Sequence, residues 1–291
     1  LGIKTGTPIY KCRSILESEG GSIFSSNYAL YGDISSRVMN TLSSLAPEIE
    51  IYSIDEAFLN LKGIRKPLND YGRSIKDTIF QHTGIPVSVG IAPTKTLAKA
   101  ANHHAKRESG VSILGTDEER IRFLAGFDVS DIWGIGRQYA DLLRKHGINT
   151  ALQLTEKEDA WIKKKLTIVG LRMVYELRGE ECLNLETDVP PKKTICSSRS
   201  FGKLITEKDE LMQAVSQYAS RAAHKLRKQK CSASALTLFI ATNPFKDEPQ
   251  YSNAATAMFN TAENYSPAFI KAAGSLLNRI YMPGYKYKKA G

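Results

Sequence analysis

The sequence predicts an α+β multidomain fold, and three observations carry that prediction. Over about the first 115 residues, β-prone runs alternate with amphipathic helical runs, as in helices packed on a sheet. The next stretch, to Gly179, reads as purely helical. From about residue 192 the order is β-α-β-β-α-β, a ferredoxin-like pattern. A length of 291 residues suits two or three such units.

Taken in order, "GSIF" offers a short β run at Ile23 and Phe24. Leu30, Ile34, Val38, Met39, Leu42 and Leu45 then recur at helical spacing. "EIEIYSIDEAFLNL" reads strand, turn, strand. "DYGRSIKDTIFQHTG" is a second amphipathic helix stopped by Gly84. "IPVSVGIA" is a buried strand, and "PTKTLAKAANHHAKRESG" is a basic helix opened by Pro93 and Thr94. The helical unit holds "TDEERIRFLAGF", a helix-turn-helix across "WGIG", and two helical pieces in "EDAWIKKKLTIVGLRMVYELRG". "ETDVPP", residues 186–191, is a linker with two prolines. Beyond it, "ICSSRSFG" is a strand. Leu211, Val215, Tyr218, Ala222 and Leu226 mark the core stripe of a long helix. Ala235, Leu236, Leu238 and Ile240 mark a strand, followed by another strand, a helix and a last strand at "YKYKKAG".

Charge divides the chain unevenly. Residues 191–291 carry 16 Lys/Arg against 6 Asp/Glu, while the first 190 residues balance 24 of each sign. A basic last third joined to a neutral body points to a polyanion, nucleic acid first, with a plain solubility face as the alternative. No apolar run reaches the roughly 20 residues of a bilayer span. The four cysteines, at 12, 182, 196 and 231, form no CxxC pair, so reduced cytoplasmic thiols are expected and a zinc site is not. The five histidines have no metal-ligand spacing, and Trp133 and Trp161 read as core.

Four constellations carry chemistry. Asp55 and Glu56 are adjacent acids in an apolar run. Inside a strand they would point to opposite faces, but at a hairpin tip both can lean toward one cation. A divalent metal offsets the cost of such carboxylates, and a turn with two solvated acids is the alternative. Lys95, Lys99, Lys106 and Arg107 come from one helix and its end, either facing phosphate or forming a solvated basic face. Gly134-Ile135-Gly136 between two helices fits a helix-hairpin-helix, whose amides approach a DNA phosphate where no Cβ fits, with Arg137 adding a charged contact. In the last third, Arg199 joins Arg221, Lys225 and Lys228, which share one helix face at i, i+4 and i+7.

In order along the chain, "FSSNYALYGDISSRVM", "IEIYSIDEAF", "GIAPTKTLAKAANHHAK", "WGIG", "LRGEEC" and "CSSRSFG" together resemble the Y-family translesion DNA polymerases. "CSSRSFG" and "SSNYALY" are most similar to the UmuC/MucB branch, the catalytic subunits of DNA polymerase V. The resemblance covers essentially the whole chain. It implies a ferredoxin-like palm with a fingers remnant over residues 1–115, and an all-α helix-hairpin-helix thumb over 116–185. The linker and a little finger DNA-binding domain over 192–291 complete it.

The resemblance further implies template-directed, error-prone synthesis past lesions in an SOS-type response, by nucleotidyl transfer from a dNTP to a primer–template with two Mg²⁺ ions. Asp55 and Glu56 match the second and third metal carboxylates, and Lys106 matches the lysine that contacts the triphosphate, although Arg107 replaces the proline that often follows. Gly134, Gly136, Arg137, Arg199, Arg221, Lys225 and Lys228 become DNA-binding residues. A UmuD-type dimer, a RecA filament and a sliding clamp are the partners implied for the intact protein. No "DxNxFYAS"-like segment with the first metal aspartate and the steric gate occurs in this sequence. The expectation is therefore a chain truncated at both ends that does not extend primers by itself. Two other readings compete. A non-catalytic DNA-binding protein leaves the acids idle, and a cyclase-like two-metal enzyme leaves the hairpin and the basic third unexplained.

Overall fold

The computed structural model describes residues 1–3, 6–187 and 192–291, and the chain divides into two compact units, Leu1–Val189 and Pro190–Gly291. Most of the linker expected at 186–191 lies outside the described residues. No described helix is long and apolar enough to cross a membrane. All four cysteines are free.

The first unit opens with α1 (Ile9–Ser18) and α2 (Tyr28–Ser43), the latter capped by the Asn27 side chain accepting from Leu30 N. Ile23 and Phe24 are not a strand. They run as exposed coil, Phe24 at 87 % exposure, because no neighbouring ladder takes up their backbone groups. Of the stripe expected on α2, only Met39 is fully buried, and Leu30 remains exposed. Strands β1 (Glu48–Ile51) and β2 (Ala57–Asn60) form an antiparallel hairpin, with Ile51 opposite Ala57. Helix α3 (Leu68–Thr83) stops at Gly84, which takes φ +71 and donates its N–H to Phe80 O.

Strand β3 (Val89–Ile91) leads into α4 (Lys95–Ala105), and β4 (Val111–Ile113) pairs with β3 in parallel. Glycine at position 90 has a packing reason: a Cβ there would stand 2.2 Å from Asn102 N and 2.3 Å from Ala98 O, both backbone atoms of α4. The sheet element lies that close to the helix.

The helical part follows as α5 (Asp117–Gly126), a 3-10 turn at Val129–Asp131, α6 (Arg137–Lys145), α7 (Ala151–Thr155) and α8 (Asp159–Arg178). Thr116 and Thr150 form capping boxes with Glu119 and Gln153. A non-helical Thr167 divides α8, which accounts for the two helical pieces read from the sequence. One core joins this part to α4 through Leu97, Leu124, Leu143, Leu154, Ile162 and Leu177.

The second unit is β5 (Arg199–Ile205), α9 (Lys208–Lys228), β6 (Ala233–Ala241), β7 (Ser252–Glu263), α10 (Ser266–Ile280) and β8 (Tyr287–Ala290), the expected β-α-β-β-α-β order. Its sheet is antiparallel, in the order β5-β8-β6-β7. Each helix therefore crosses between two parallel strands separated by one antiparallel strand, the split β-α-β arrangement. The five stripe residues expected on α9 are all buried, and all but Ala222 share a core with Leu238, Ile240, Phe269, Leu277 and Tyr287.

Candidate functional site

The β1–β2 hairpin places both acids at its tip. Tyr52 N and Ser53 N donate to Glu56 O and close the turn, while Asp55 Oδ1 accepts from Ser53 Oγ at 2.6 Å. Asp55 is exposed and Glu56 half-buried, so the alternation that would separate them in a flat strand does not apply.

Helix α4 lies against this hairpin and presents a row of lysines to it. Lys99 Nζ meets Glu56 Oε1 at 2.5 Å. One turn earlier, Lys95 pairs with Glu50, the two side chains only 11 % and 10 % exposed. Lys95 also donates to Asn184 O, and Glu186 N donates to Glu50 Oε2 at 2.7 Å, tying the segment after α8 to the same pair. Two members of the basic cluster expected to face phosphate are therefore spent on carboxylates. A tertiary contact across 43 residues decided this, and no local spacing encodes it.

Lys106 and Arg107 do face outward. Lys106 is the C-cap of α4, exposed and without an ion pair among the described residues, and Arg107 approaches only His103. Lys106 follows Lys99 by seven residues, so it continues the same helix face about 10 Å further along.

The hairpin of the helical part closes the other side. Gly134 takes φ +95, a conformation that favours glycine, and Gly136 is the N-cap of α6. A Cβ on either would meet nothing within 4 Å, so the tip faces open space. Arg137 is 96 % exposed, with Asp141 at 4.0 Å. Trp133 is half-buried. It packs edge-on to Tyr52 at 5.4 Å, lies 5.8 Å from Phe58, and donates from Nε1 to Tyr52 Oη at 3.2 Å. This aromatic cluster joins the acid-bearing hairpin to the Gly134 turn. Lys99 Nζ lies over the rings of Tyr52, at 5.4 Å, and Trp133, at 5.9 Å, while Lys95 Nζ lies over Phe58 at 5.1 Å.

Fully buried Glu176 on α8 anchors the start of α4. Its Oε2 accepts from Thr96 N and Oγ1, and its Oε1 accepts from Cys182 N and Leu183 N. A carboxylate at a helix N-terminus is favoured by the helix dipole and by its unpaired amides.

Among the described residues, Asp55 and Glu56 at the hairpin tip each keep one carboxylate oxygen without a hydrogen bond or ion pair. Hard, adjacent oxygen donors suit Mg²⁺, which takes one or two carboxylates and completes its shell with water and phosphate. No third His, Cys, Asp or Glu completes a cluster among the described residues.

In the second unit, Arg221, Lys225 and Lys228 are exposed on one flank of α9. Arg199 opens β5 beside them. With Cys196, Ser197 and Ser198, the residues Arg199, Arg221 and Lys225 line an open cleft of about 400 Å³. Among the described residues none of these cations has a carboxylate partner, and Lys225 donates to Cys196 O at 2.9 Å. Lys99, read as facing phosphate or solvent, and Trp133, read as core, are the site residues whose partners the sequence did not give. The only available signal was the acid-rich hairpin set against lysines at i and i+4.

Comparison with known proteins adds family evidence. The impB/mucB/samB family matches residues 1–103, its HHH motif matches 117–148 and its C-terminal domain matches 192–291. The chain is 45 % identical to Protein UmuC of Salmonella typhimurium over 100 % of the chain and 71 % of that protein. It is 39 % identical to Protein MucB of Escherichia coli, over 100 % and 70 %. A solved Y-family DNA polymerase chimera of Dbh and Dpo4 superposes with a TM-score of 0.81, covering 100 % of this chain and 82 % of that one at 21 % identity, which is a likeness of fold.

Proposed function

Because the chain belongs to the impB/mucB/samB family, the UmuC/MucB branch of the Y-family DNA polymerases, we propose that it serves error-prone, SOS-type synthesis past lesions on a primer–template through the acids at the β1–β2 tip. The carrying observation is the juxtaposition of Asp55 and Glu56 with the lysine face of α4 and the Gly134 hairpin. In this reading residues 1–115 are palm and fingers remnant, 116–185 thumb and 192–291 little finger.

Asp55 and Glu56 would hold two Mg²⁺ ions, which when bound supply Lewis-acid stabilisation to the oxygens of a displacement at phosphorus. Lys106, on the lysine face and without an ion pair among the described residues, would receive the dNTP triphosphate. Gly134, Gly136 and Arg137 would meet one backbone phosphate through amides and a guanidinium. Arg199, Arg221, Lys225 and Lys228 would grip the duplex backbone without reading bases. A UmuD-type dimer, a RecA filament and a sliding clamp are the proposed protein partners, and the cytoplasm the proposed compartment. With two carboxylates and no third among the described residues, the polypeptide of residues 1–291 is proposed to bind DNA but extend it poorly.

Asp55→Ala in the full-length enzyme tests the reading. Primer extension should fall by at least about a hundredfold, with duplex affinity within twofold of wild type. Unchanged extension would reject the assignment and favour a non-catalytic DNA binder.

A further inference from the structure

We propose that Lys99 is a positioning residue that occupies Glu56 in place of a metal cation and gives it up when a divalent cation binds. The inference rests on the metal reading of Asp55 and Glu56. Glu56 is two-thirds buried at its side chain, 34 % exposed, and sits beside the negative charge of Asp55. Such a carboxylate needs a cation. The nearest is Lys99, whose ammonium meets Oε1 at 2.5 Å and is itself only 21 % exposed.

A surface lysine would reach Glu56 loosely and be displaced at little cost. Lys99 is not loose. Its ammonium lies over the rings of Tyr52 and Trp133, and the Trp133 Nε1 to Tyr52 Oη hydrogen bond holds those two rings together. A cation leaving Glu56 can stay on the aromatic pair, where ring quadrupoles favour positive charge. Lys99 then faces the same side of α4 as Lys106, toward the proposed triphosphate seat. The neighbouring Lys95–Glu50 pair does not compete in this way. It is more buried, and Glu50 also accepts from Glu186 N, so that lysine is structural.

Lys99 and a divalent cation therefore compete for one carboxylate. Removing the ammonium should tighten cation binding, the opposite of what loss of a merely structural residue would do. Trp133 is the natural reporter, since it touches Lys99 and the acid-bearing hairpin, and the chain has only one other tryptophan.

Mn²⁺ is the probe. Its binding to this chain is titrated by the electron paramagnetic resonance signal of the free ion, and in parallel by Trp133 emission in a Trp161→Phe background. Lys99→Met should bind Mn²⁺ about tenfold tighter than wild type, about 1.4 kcal/mol of binding free energy. Lys99→Arg, which keeps the charge, should bind like wild type, and Glu56→Gln should lose the site in either background. Equal or weaker binding in Lys99→Met, with Glu56→Gln still abolishing the site, overturns the competition and leaves the metal reading standing. Mn²⁺ binding that is absent, or indifferent to Glu56→Gln, overturns both.

Discussion

Glu176→Ala should be the most damaging single truncation in the first unit outside its apolar core. The carboxylate is 0 % exposed and accepts four hydrogen bonds: from Thr96 N at 2.9 Å, Thr96 Oγ1 at 3.1 Å, and Cys182 N and Leu183 N at 2.9 Å each. Bonds to a charged acceptor are worth about 1.5–3 kcal/mol each, so four amount to roughly 6–12 kcal/mol. Against that stands the desolvation of one buried carboxylate, several kcal/mol, which the alanine variant no longer pays. The Thr96 hydroxyl can also rotate to another acceptor. The net expected loss is about 3–5 kcal/mol, a large share of a typical domain's stability of about 5–15 kcal/mol. With a urea slope of about 2 kcal/mol/M, the midpoint should fall by about 2 M. Both tryptophans, Trp133 and Trp161, lie in the first unit, so their fluorescence follows this unit alone. Glu176→Gln keeps one acceptor oxygen but turns an amide toward two donors, and should lose about half as much. If both variants unfold within 1 kcal/mol of wild type, as judged against the ordinary scatter of surface substitutions, the buried carboxylate is not what holds α4 to α8.

Two further outcomes follow from charge. Arg221→Ala and Lys225→Ala should each weaken duplex binding across sequences alike and lower the slope of log affinity against log salt by about one; an unchanged slope would remove them from the backbone contact. Asp159 is held below the usual carboxylate range, first by the Tyr175 hydroxyl and then by Arg178. A depressed folded value means that the stabilisation is present above the unfolded value, about 3.9, and is lost as pH falls through the folded one. Asp159→Asn should therefore be less stable at pH 7 and show a flatter acid limb below about pH 4, read by circular dichroism.

How far the sequence could be read depends on the range of the interaction concerned. Gly84 ending α3, Thr94 capping α4 and the stripe of α9 are local or periodic signals, and the structure shows each where spacing places it. The β1–β2 hairpin was legible because an apolar run broke at two acids. α1 was not, since only Cys12 of its ten residues is buried and no stripe marks it. β4 was missed because three residues are too few for a period, and its pairing is parallel and remote. Ile23 and Phe24 show the converse error: β propensity without a partner strand yields coil. At the candidate site, residue types announced chemistry but not partners. Lys95 and Lys99 look interchangeable with Lys106 on a helix face, and only the approach of the hairpin separates two paired lysines from one with no ion pair among the described residues.

That separation explains the charge division as well. In the first unit, balanced charge is used internally: Glu50, Glu56 and Asp159 are each met by a lysine or arginine, and those pairs fix the hairpin and α8 in place. In the second unit, Arg221, Lys225 and Lys228 on the flank of α9 meet no carboxylate among the described residues, and Arg221 and Lys225 line an open cleft. An unneutralised cluster gains little for the fold, because like charges repel. The DNA backbone proposed as its partner supplies regularly spaced charges of the opposite sign. The same residue type therefore does opposite work in the two units. A lysine held against a carboxylate shapes the first, and one with no carboxylate partner among the described residues belongs to the proposed DNA-binding surface of the second.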